Sequence, residues 1–218
     1  MKILRVAQNL YPAVPGGGSY HVHAMSRDQA AMGHEVTVLT VSDDESLPRH
    51  ELRHGYEVVR RRPTVELLHN EISVGAARYL FDRDDFDVIH AHSHLYFSTN
   101  LAALHRRINN TPLAITNHGL YSQNAPEWLF GAYLRTIARW TFNSADVVFC
   151  YTDDDRQRVS DIGASTAIQV VTNGIDTDRF SPDGPTSQLV GDQSPVLLFV
   201  GRLVDGKRPM DAINVVEQ

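Results

Sequence analysis

Short apolar segments alternate with helical patterns along most of this 218-residue chain, and this alternation restricts its possible folds more than any other feature. Each segment is mostly apolar, with at most two polar residues and no regular change between apolar and polar positions. Continuous apolar strands separated by helices are typical of parallel pairing, in which helices cover both faces of the sheet. The sequence therefore predicts an α/β fold. The segments that predict strands are 3–7, 36–41, 56–59, 88–91, 113–116, 147–150 and 168–171.

Helical patterns fill the intervals between these segments. Ser19 is expected to cap the first helix, and Gly33 to end it after Met32. The stretch 64–81 is also helical in pattern, but Gly75 lies inside it and makes the assignment ambiguous. Later helices are predicted over 96–107, 127–142 and 153–162.

The composition of residues 183–194 predicts a linker, because Gly, Ser and Asp recur there and Pro185 interrupts them. We therefore expect a first domain over 1–182 and the first strand and helix of an incomplete second domain over 195–218. One strand and one helix cannot cover both faces of a sheet. The chain is thus expected to be truncated, or this stub to pair with the first domain or with another chain.

Composition and charge argue against several functional classes. The formal net charge of −6 argues against a nucleic-acid partner, whose backbone is also negative. No apolar run is long enough to span a bilayer, and the first ten residues lack the apolar core of a signal peptide. Cys150 is the single cysteine and is expected in the core, since it cannot form an internal disulfide. The expected compartment is the cytoplasm.

Chemically distinctive residues follow four of the predicted strands. In parallel α/β sheets, ligands bind beyond the carboxyl ends of the strands, so these residues share one candidate edge. The four groups are Gly16–Gly18, the histidines His90, His92 and His94, His118 with Gly119, and Asn173 with Gly174.

The glycine loop Gly16–Gly18 opens the first predicted helix. Without side chains, its backbone can approach a ligand closely, and the free amides of the helix start can face an anion. It has neither the dinucleotide-binding Gly-x-Gly-x-x-Gly spacing nor the lysine of a P-loop. A phosphate-binding turn and a flexible strand–helix connection therefore both remain open.

His90, His92 and His94 have the spacing that places side chains on one face of a strand, as metal ligands require. A zinc-dependent hydrolase is therefore an alternative function. We favour a polar strand end with local hydrogen bonds, because no convincing set of carboxylate or cysteine partners accompanies the histidines. His118 fits an orienting group or hydrogen-bond donor in a cleft, with an ordinary loop histidine as the alternative.

A second phosphate-binding signal lies within 196–211. A short apolar run, predicted as a strand, ends at Gly201, and Arg202 and Lys207 flank the turn into a helical pattern. Fixed cations beside the free amides of a helix start favour an anion, although two solvated cations would give the same pattern. Lys207 is informative because Lys2 is the only other lysine in the chain.

Taken in series, these segments resemble glycosyltransferase family 4. Each motif is weak singly, but the motifs occur in order over nearly the whole chain. The segments that carry the resemblance are Pro15-Gly16-Gly17 with His21-Val22, Gly33-His34-Glu35-Val36-Thr37-Val38, Asp87-Val88-Ile89-His90-Ala91-His92, Thr116-Asn117-His118-Gly119, Asn173-Gly174-Ile175-Asp176 with Arg179-Phe180-Ser181-Pro182, and Gly201-Arg202-Leu203 with Lys207.

The resemblance implies the GT-B fold, in which two Rossmann-like domains face each other across a cleft. The amino-terminal domain would hold the acceptor, and the carboxyl-terminal domain would hold the sugar nucleotide. The implied reaction is transfer of a sugar from a nucleotide-diphosphate sugar to an acceptor, with retention and without a cofactor or an essential metal. The acceptor stays open among a sugar, a lipid-linked sugar and a small molecule.

The resemblance also implies roles for individual residues. Arg202 and Lys207 would neutralise the leaving diphosphate, because two cations in a dry cleft stabilise growing negative charge more than they would in water. Gly16 and Gly17 would bring backbone amides to the phosphates or to the transferred sugar. His21 would contribute to substrate binding, and His118 would be the catalytic residue beside the reacting sugar.

The chain departs from the family pattern at three points, and the first of them bears on activity. The chain ends at Gln218, before the family's glutamate pair, so we expect little or no transferase activity from this fragment alone. Thr172 and Gly206 stand where the family usually has proline and often has glutamate. A non-catalytic sugar- or nucleotide-binding module therefore stays open as an alternative. Peripheral membrane contact through Arg60–Arg62 and self-association through the stub are also left open.

Overall fold

The computed structural model describes residues 1–67, 70–120, 126–185, 196–201, 203–204 and 207–216. The chain divides into two compact units, Met1–Asn173 and Gly174–Gln218. The bounds of domains and linker expected from the sequence stay predictions. We describe each unit by itself.

The first unit is built from ten described strands and the helices that connect them. The strands are β1 (Lys2–Val6), β2 (Glu35–Val41), β3 (His50–Arg53), β4 (Tyr56–Arg61), β5 (Val65–Leu67), β6 (Asn70–Ile72), β7 (Val88–His92), β8 (Leu113–Thr116), β9 (Val147–Cys150) and β10 (Ala167–Val170). The helices are α1 (Gly17–Ala31), α2 (Val74–Phe81), α3 (Phe97–Asn109), α4 (Glu127–Tyr133), a π-helical turn (Leu134–Ala138), α5 (Arg139–Asn143) and α6 (Asp153–Asp161).

Eight of these strands form one sheet with the order β10-β9-β8-β7-β1-β2-β4-β3. Seven run parallel, and they are the seven segments that the sequence predicts as strands. Strand β3 pairs antiparallel with β4 at one edge. The predicted α/β fold with a parallel sheet is therefore confirmed.

Side chains of β1 alternate between the two faces of the sheet, as a strand requires. Leu4 and Val6 belong to one buried cluster, which includes residues of α2, α3 and α5. Ile3 and Ala7 belong to a second buried cluster, which includes Val22 of α1. Helices thus cover both faces of the sheet. On the face that α1 covers, Arg5 lies between Ile3 and Ala7.

Two helix predictions need correction. Helix α1 begins at Gly17 with Gly16 at the N-cap position, and Ser19 lies inside the first turn, where its hydroxyl donates to the Val14 carbonyl over 2.5 Å. The ambiguous stretch 64–81 begins with the antiparallel strand pair β5 and β6, and only its second part, α2, is helical. That helix begins only where Ser73 can cap it, by accepting the Ala76 N–H at 3.1 Å.

Strand β3 has no counterpart among the predicted strands. It joins β4 through His54 and Gly55, whose φ angles of 47° and 86° are both positive. Two successive positive φ angles are typical of the tight turns that connect antiparallel strands. Gly55 adopts this backbone conformation without the steric cost that a side chain would add.

The second unit differs from its predicted structure. Helix α7 (Pro209–Val216) forms where the helical pattern predicts it. The predicted strand over 196–200 is wrong, since these residues have no strand assignment. A strand needs a hydrogen-bonded neighbour, and the described part of this unit contains none. The Asp176 carboxylate accepts the N–H groups of Asp178 and Arg179 and so stabilises a turn that follows Asp176.

Arg60–Arg62 does not form the basic patch that membrane contact would need. The Arg60 side chain is buried and donates to the Pro48 carbonyl and to Glu51. Arg62 pairs with Glu45 over 2.7 Å. Two of the three charges are therefore neutralised locally. Among the described helices, none is long and apolar enough to cross a membrane.

Candidate active site

A fully buried arginine, Arg5, lies near the carboxyl end of β1, at the base of the predicted ligand edge. The Nη1 atom of Arg5 lies 3.0 Å from Nδ1 of His90, 3.1 Å from Nε2 of His92 and 2.8 Å from Sδ of Met25. Its Nη2 atom donates to the side-chain oxygen of Gln29. Two strands and helix α1 therefore meet at one guanidinium.

Strand register explains how this group forms. Strands β1 and β7 are neighbours, and Arg5 is the register partner of His90. Residues two apart on a strand share a face, so His92 lies on the same side as His90. The two imidazole rings stack with their centroids 4.6 Å apart. His90 continues the contacts toward β8, where its Nε2 lies 2.8 Å from the Thr116 hydroxyl.

Arg5 carries a charge that no carboxylate neutralises among the residues with described positions. Burial lowers the pKa of its guanidinium to about 10, which still leaves it protonated near neutral pH. Burial, and then the positive charge of Arg5, lowers the pKa of His90 well below its usual value. Burial and the neighbouring histidine and arginine do the same to His92. The cation is therefore held by neutral imidazoles.

His118 extends this group to the surface of the edge. It follows β8, and its Nε2 lies 3.1 Å from Nδ1 of His92. Its Nδ1 lies 3.0 Å from the hydroxyl of Tyr151, which follows β9. Burial, and then the charge of His21, lowers the pKa of His118 to about 4. The structure thus places the predicted catalytic histidine as a neutral, partly exposed ring at the ends of three adjacent strands.

His21, a predicted substrate-binding residue, projects from α1 into the same group. Its ring centroid lies 5.6 Å from those of His92 and His118 and 5.8 Å from that of Tyr151. Burial and the charge of Arg5 lower the pKa of His21, whereas a hydrogen bond with Asn173 raises it. The structure therefore brings His21 and His118 together.

The glycine loop lies against the same histidine. A Cβ atom placed on Gly18 would lie 3.4 Å from Nδ1 of His118. A Cβ atom on Gly17 would have no neighbour within 4 Å, and one on Gly16 would meet only Ser19. The backbone amides of this first helical turn have no partners within the helix, so they can donate to a ligand. The loop and His118 thus border one open space.

The zinc site that the three-histidine spacing suggests does not form. Ser93 adopts a φ of 66°, which turns the chain after β7 so that His94 leaves the face of His90 and His92. The His94 ring lies 5.1 Å from the ring of Phe142, in the core. Arg5 occupies the nitrogen atoms of His90 and His92 that would face a metal. Among the residues with described positions, no three metal-ligating side chains are grouped to hold an ion.

The two predicted cations of the second unit are only partly described. Arg202 lies outside the described residues. Lys207 is exposed and precedes the first turn of α7, and its backbone N–H donates to the Val204 carbonyl at 2.8 Å. Their role at a diphosphate stays a prediction.

Sequence reasoning missed Arg5 and Tyr151 as members of this site. The signal for Arg5 was present, since a charged residue inside a short apolar strand must find polar partners. His90 and His92, two residues apart, supplied those partners. Tyr151 follows a predicted strand, as His118 does, and that position was its only signal.

Residues 15–179, more than half of the chain, match a family model described as Glycosyltransferase Family 4. The match includes the glycine loop, His21 and His118.

Similar curated proteins include the glycogen synthase of Mycobacterium tuberculosis, which is 28% identical and aligns with 98% of this chain and 57% of its own length. The GDP-mannose-dependent alpha-(1-6)-phosphatidylinositol monomannoside mannosyltransferase of Mycolicibacterium smegmatis is also 28% identical, over 91% of this chain and 52% of its own length. The chain spans about half the length of the curated relatives it matches.

The fold is similar to that of HepE from Anabaena, solved in complex with UDP-glucose. The TM-score is 0.60 at 20% identity, and the alignment covers 84% of this chain and 47% of that one. At this identity the likeness concerns the fold alone.

Proposed function

Because the chain belongs to glycosyltransferase family 4, we propose that it is part of an enzyme that transfers a sugar from a nucleotide-diphosphate sugar to an acceptor with retention of anomeric configuration. The match of residues 15–179 carries this proposal. The geometry supports it, since two predicted site residues, His21 and His118, meet beside the glycine loop at the carboxyl edge of a parallel sheet. Ligands bind at this edge in open α/β sheets.

His118 is proposed to lie beside the transferred sugar. Its ring is neutral near pH 7, because burial lowers its pKa to about 4. A neutral imidazole can donate a hydrogen bond to a sugar oxygen without adding a positive charge to the site. Its hydrogen bonds to His92 and Tyr151 hold the ring in one orientation.

The glycine loop is proposed to supply backbone amides. Gly16 and Gly17 carry no side chain that would separate a ligand from the first turn of α1. Amides at a helix start attract phosphate and other oxygen-rich groups. Such donors can approach the phosphates or the transferred sugar without moving during the reaction.

Arg202 and Lys207 are proposed to bind the diphosphate as it leaves. The bond to the anomeric carbon breaks, and negative charge grows on the departing phosphate oxygens. Positive groups that are already in place stabilise this charge most where water is excluded. The exposed side chain of Lys207 at the start of α7 supports this role.

The proposal leaves three acceptor classes: a sugar, a lipid-linked sugar and a small molecule. A lipid-linked acceptor would bring the enzyme to the inner face of a membrane as a peripheral protein. Trp128 and Trp140, which are 76% and 40% exposed, support such contact because tryptophan favours membrane interfaces. A cytoplasmic location is proposed from the buried, unpaired Cys150, and self-association stays a prediction without an assigned surface.

Lysine substitutions test the donor site in the full-length product of the gene. Lys207→Ala should weaken the binding of UDP-glucose or GDP-mannose, whichever binds, by roughly tenfold, as the loss of one charged contact predicts. Lys2→Ala is the matched control, because Lys2 pairs with Asp85 beside the start of β1. Equal affinities of the two variants, measured by calorimetry, would contradict the assignment of Lys207.

Product analysis separates the transferase from a binding module. Incubation with the bound nucleotide sugar and an acceptor should release nucleoside diphosphate and form a glycoside with the anomeric configuration of the donor. Proton NMR of the product reports that configuration. Tight binding without transfer to any of the three acceptor classes would favour the non-catalytic module instead.

A further inference from the structure

Arg5 and the imidazole rings of His90, His92 and His118 form a hydrogen-bond network. The network begins at the Arg5 guanidinium, which has no atom that can accept a hydrogen bond. A guanidinium can only donate, and it keeps its protons at neutral pH. Its Nη1 atom faces Nδ1 of His90 and Nε2 of His92. Nη1 also donates to Sδ of Met25, so its two N–H groups are shared among three acceptors. Both ring atoms must still be unprotonated acceptors, because a guanidinium nitrogen cannot accept an N–H.

The state of each ring then fixes the next one. A neutral imidazole carries one proton, so His92, with Nε2 as the acceptor, carries its proton on Nδ1. That proton faces Nε2 of His118 over 3.1 Å, which makes this nitrogen an acceptor as well. His118 therefore carries its own proton on Nδ1 and donates it to the Tyr151 hydroxyl 3.0 Å away. His90 is the opposite case, with its proton on Nε2 facing the Thr116 hydroxyl.

We propose that Arg5 is a positioning residue that fixes His92 and His118 as Nδ1–H tautomers, so that His118 presents a hydrogen-bond donor on the side of Gly18 and Tyr151. The tautomers follow from the hydrogen-bond geometry of the protein alone. That the donor meets a substrate rests on the proposed transferase function.

The direction of the chain matters for what the site binds. The N–H of His118 is on the nitrogen nearest to Gly18, where a Cβ would lie 3.4 Å away. A ligand group that takes this bond from Tyr151 must supply a lone pair, as the oxygen of a sugar hydroxyl or a phosphoryl group does. An ammonium group, which can only donate, would face another donor and is disfavoured there.

The Tyr151 hydroxyl cannot determine which nitrogen of His118 carries the proton. A hydroxyl both donates and accepts, so it is compatible with either tautomer of His118. In this hydrogen-bond network, Arg5 is the one side chain that can only donate. Protonation of His118 would place an N–H against the N–H of His92, so this contact also disfavours a charged His118.

Nitrogen-15 NMR of the histidine-labelled 218-residue protein tests the proposal, because protonated and unprotonated ring nitrogens resonate in separate regions. At pH 7, His92 and His118 should each show a protonated Nδ1 and an unprotonated Nε2, and His90 should show the reverse. An Nε2–H tautomer at His118 in the unaltered protein would overturn the proposal without any variant.

Two substitutions test which end sets the direction. Arg5→Met should abolish the single Nδ1–H state of His118 and give the Nε2–H form or a mixture, whereas Tyr151→Phe should keep the Nδ1–H state. Arg60→Met is the matched control, because it removes another buried arginine, one bonded to Pro48 and Glu51, and it should leave all three tautomers unchanged. A switch caused by Tyr151→Phe and not by Arg5→Met would overturn the proposal.

A second variant covers the case in which Arg5→Met is unfolded, and a transfer assay separates this proposal from the proposed function. If Arg5→Met does not fold, Arg5→Lys replaces it, since lysine also only donates and should preserve the tautomers; their loss in a folded Arg5→Lys protein would count against the proposal. The NMR readout does not depend on transfer. Correct tautomers, together with a full-length protein that never transfers sugar, would refute the proposed function and leave the assignment of Arg5 intact.

Discussion

The Nη1 atom of Arg5 lies 3.1 Å from the Nε2 atom of His92, so a strand in the centre of the sheet is bonded directly to the ligand edge. Residues in loops usually owe their positions to the scaffold beneath them. Here the scaffold acts through a buried charge, and His118 receives its orientation through His92. The site is therefore held from β1, three strands away from β9, where Tyr151 follows.

Acid should destabilise the protein through His118. Its pKa is about 4 when folded and 6.5 when exposed, so between these values the unfolded chain binds a proton that the folded chain does not. The contribution of neutral His118 to the free energy of unfolding is therefore fully present above pH 6.5 and is lost as the pH falls toward 4. From pH 7 to pH 5 this one group should lower the free energy of unfolding by about 2 kcal/mol.

Urea denaturation at the two pH values measures this effect. His118→Gln should reduce the loss by the stated amount, whereas Tyr151→Phe should keep it, because that change leaves the titrating ring in place. Burial also lowers the pKa of His94 to about 4. His94→Phe should therefore reduce the loss of unfolding free energy between pH 7 and pH 5 by a similar amount. An identical pH dependence in His118→Gln and the unaltered protein would contradict the burial argument.

A methyl group on Gly18 should separate stability from activity. Alanine favours a helix over glycine by up to about 1 kcal/mol, so Gly18→Ala should not destabilise α1. The new methyl would lie 3.4 Å from Nδ1 of His118 and cover the proposed donor. Transfer by the full-length enzyme should therefore fall by roughly tenfold or more, as loss of one hydrogen bond in the transition state predicts.

Gly131→Ala in α4 is the control for this experiment. A Cβ there would approach only the Arg135 side chain, at 3.9 Å, so this variant should gain helix stability and retain full transfer. Thermal unfolding and transfer rates of both variants supply the comparison. Unchanged transfer in Gly18→Ala would show that the face of His118 toward the loop is not used.

Cys150 should react very slowly in the folded protein. It is buried at the end of β9, and burial raises the pKa of its thiol from 9.0 to about 11. The thiolate is the reactive form, so near pH 8 its population should be about 100-fold lower than in the unfolded chain. Titration with a thiol reagent should detect one group in urea and almost none without it, and fast labelling of the native protein would contradict the buried placement.

The parallel sheet could be predicted because its strands are buried on both faces. Continuous apolar runs such as 147–150 are a strong signal for this environment, and all seven runs predicted in the first unit formed strands of the sheet. The common edge followed from the same reasoning. It placed His118 beside the glycine loop before any distance was known, whereas His21 was predicted from the family resemblance and joins them in the structure.

The missed elements lack that signal. Strand β3 reads His-Glu-Leu-Arg, which is a polar edge strand, and its turn uses His54 in place of the asparagine or aspartate that usually marks such hairpins. The apolar run 196–200 has a strand's composition, but no neighbour pairs with it among the residues that the structure describes, so pattern alone predicted a strand there wrongly. Arg5 was hidden for a third reason, because its partners lie 85 and 87 residues away along the chain.

The transfer rate of His118→Ala tests the central claim most directly. The full-length enzyme and this variant are assayed with a saturating nucleotide sugar and the acceptor that supports the fastest transfer. Loss of a donor at the reacting sugar should lower kcat by about 100-fold, while the dissociation constant for the nucleotide changes little. A variant that transfers sugar at the rate of the unaltered enzyme would contradict the placement of His118 in the active site.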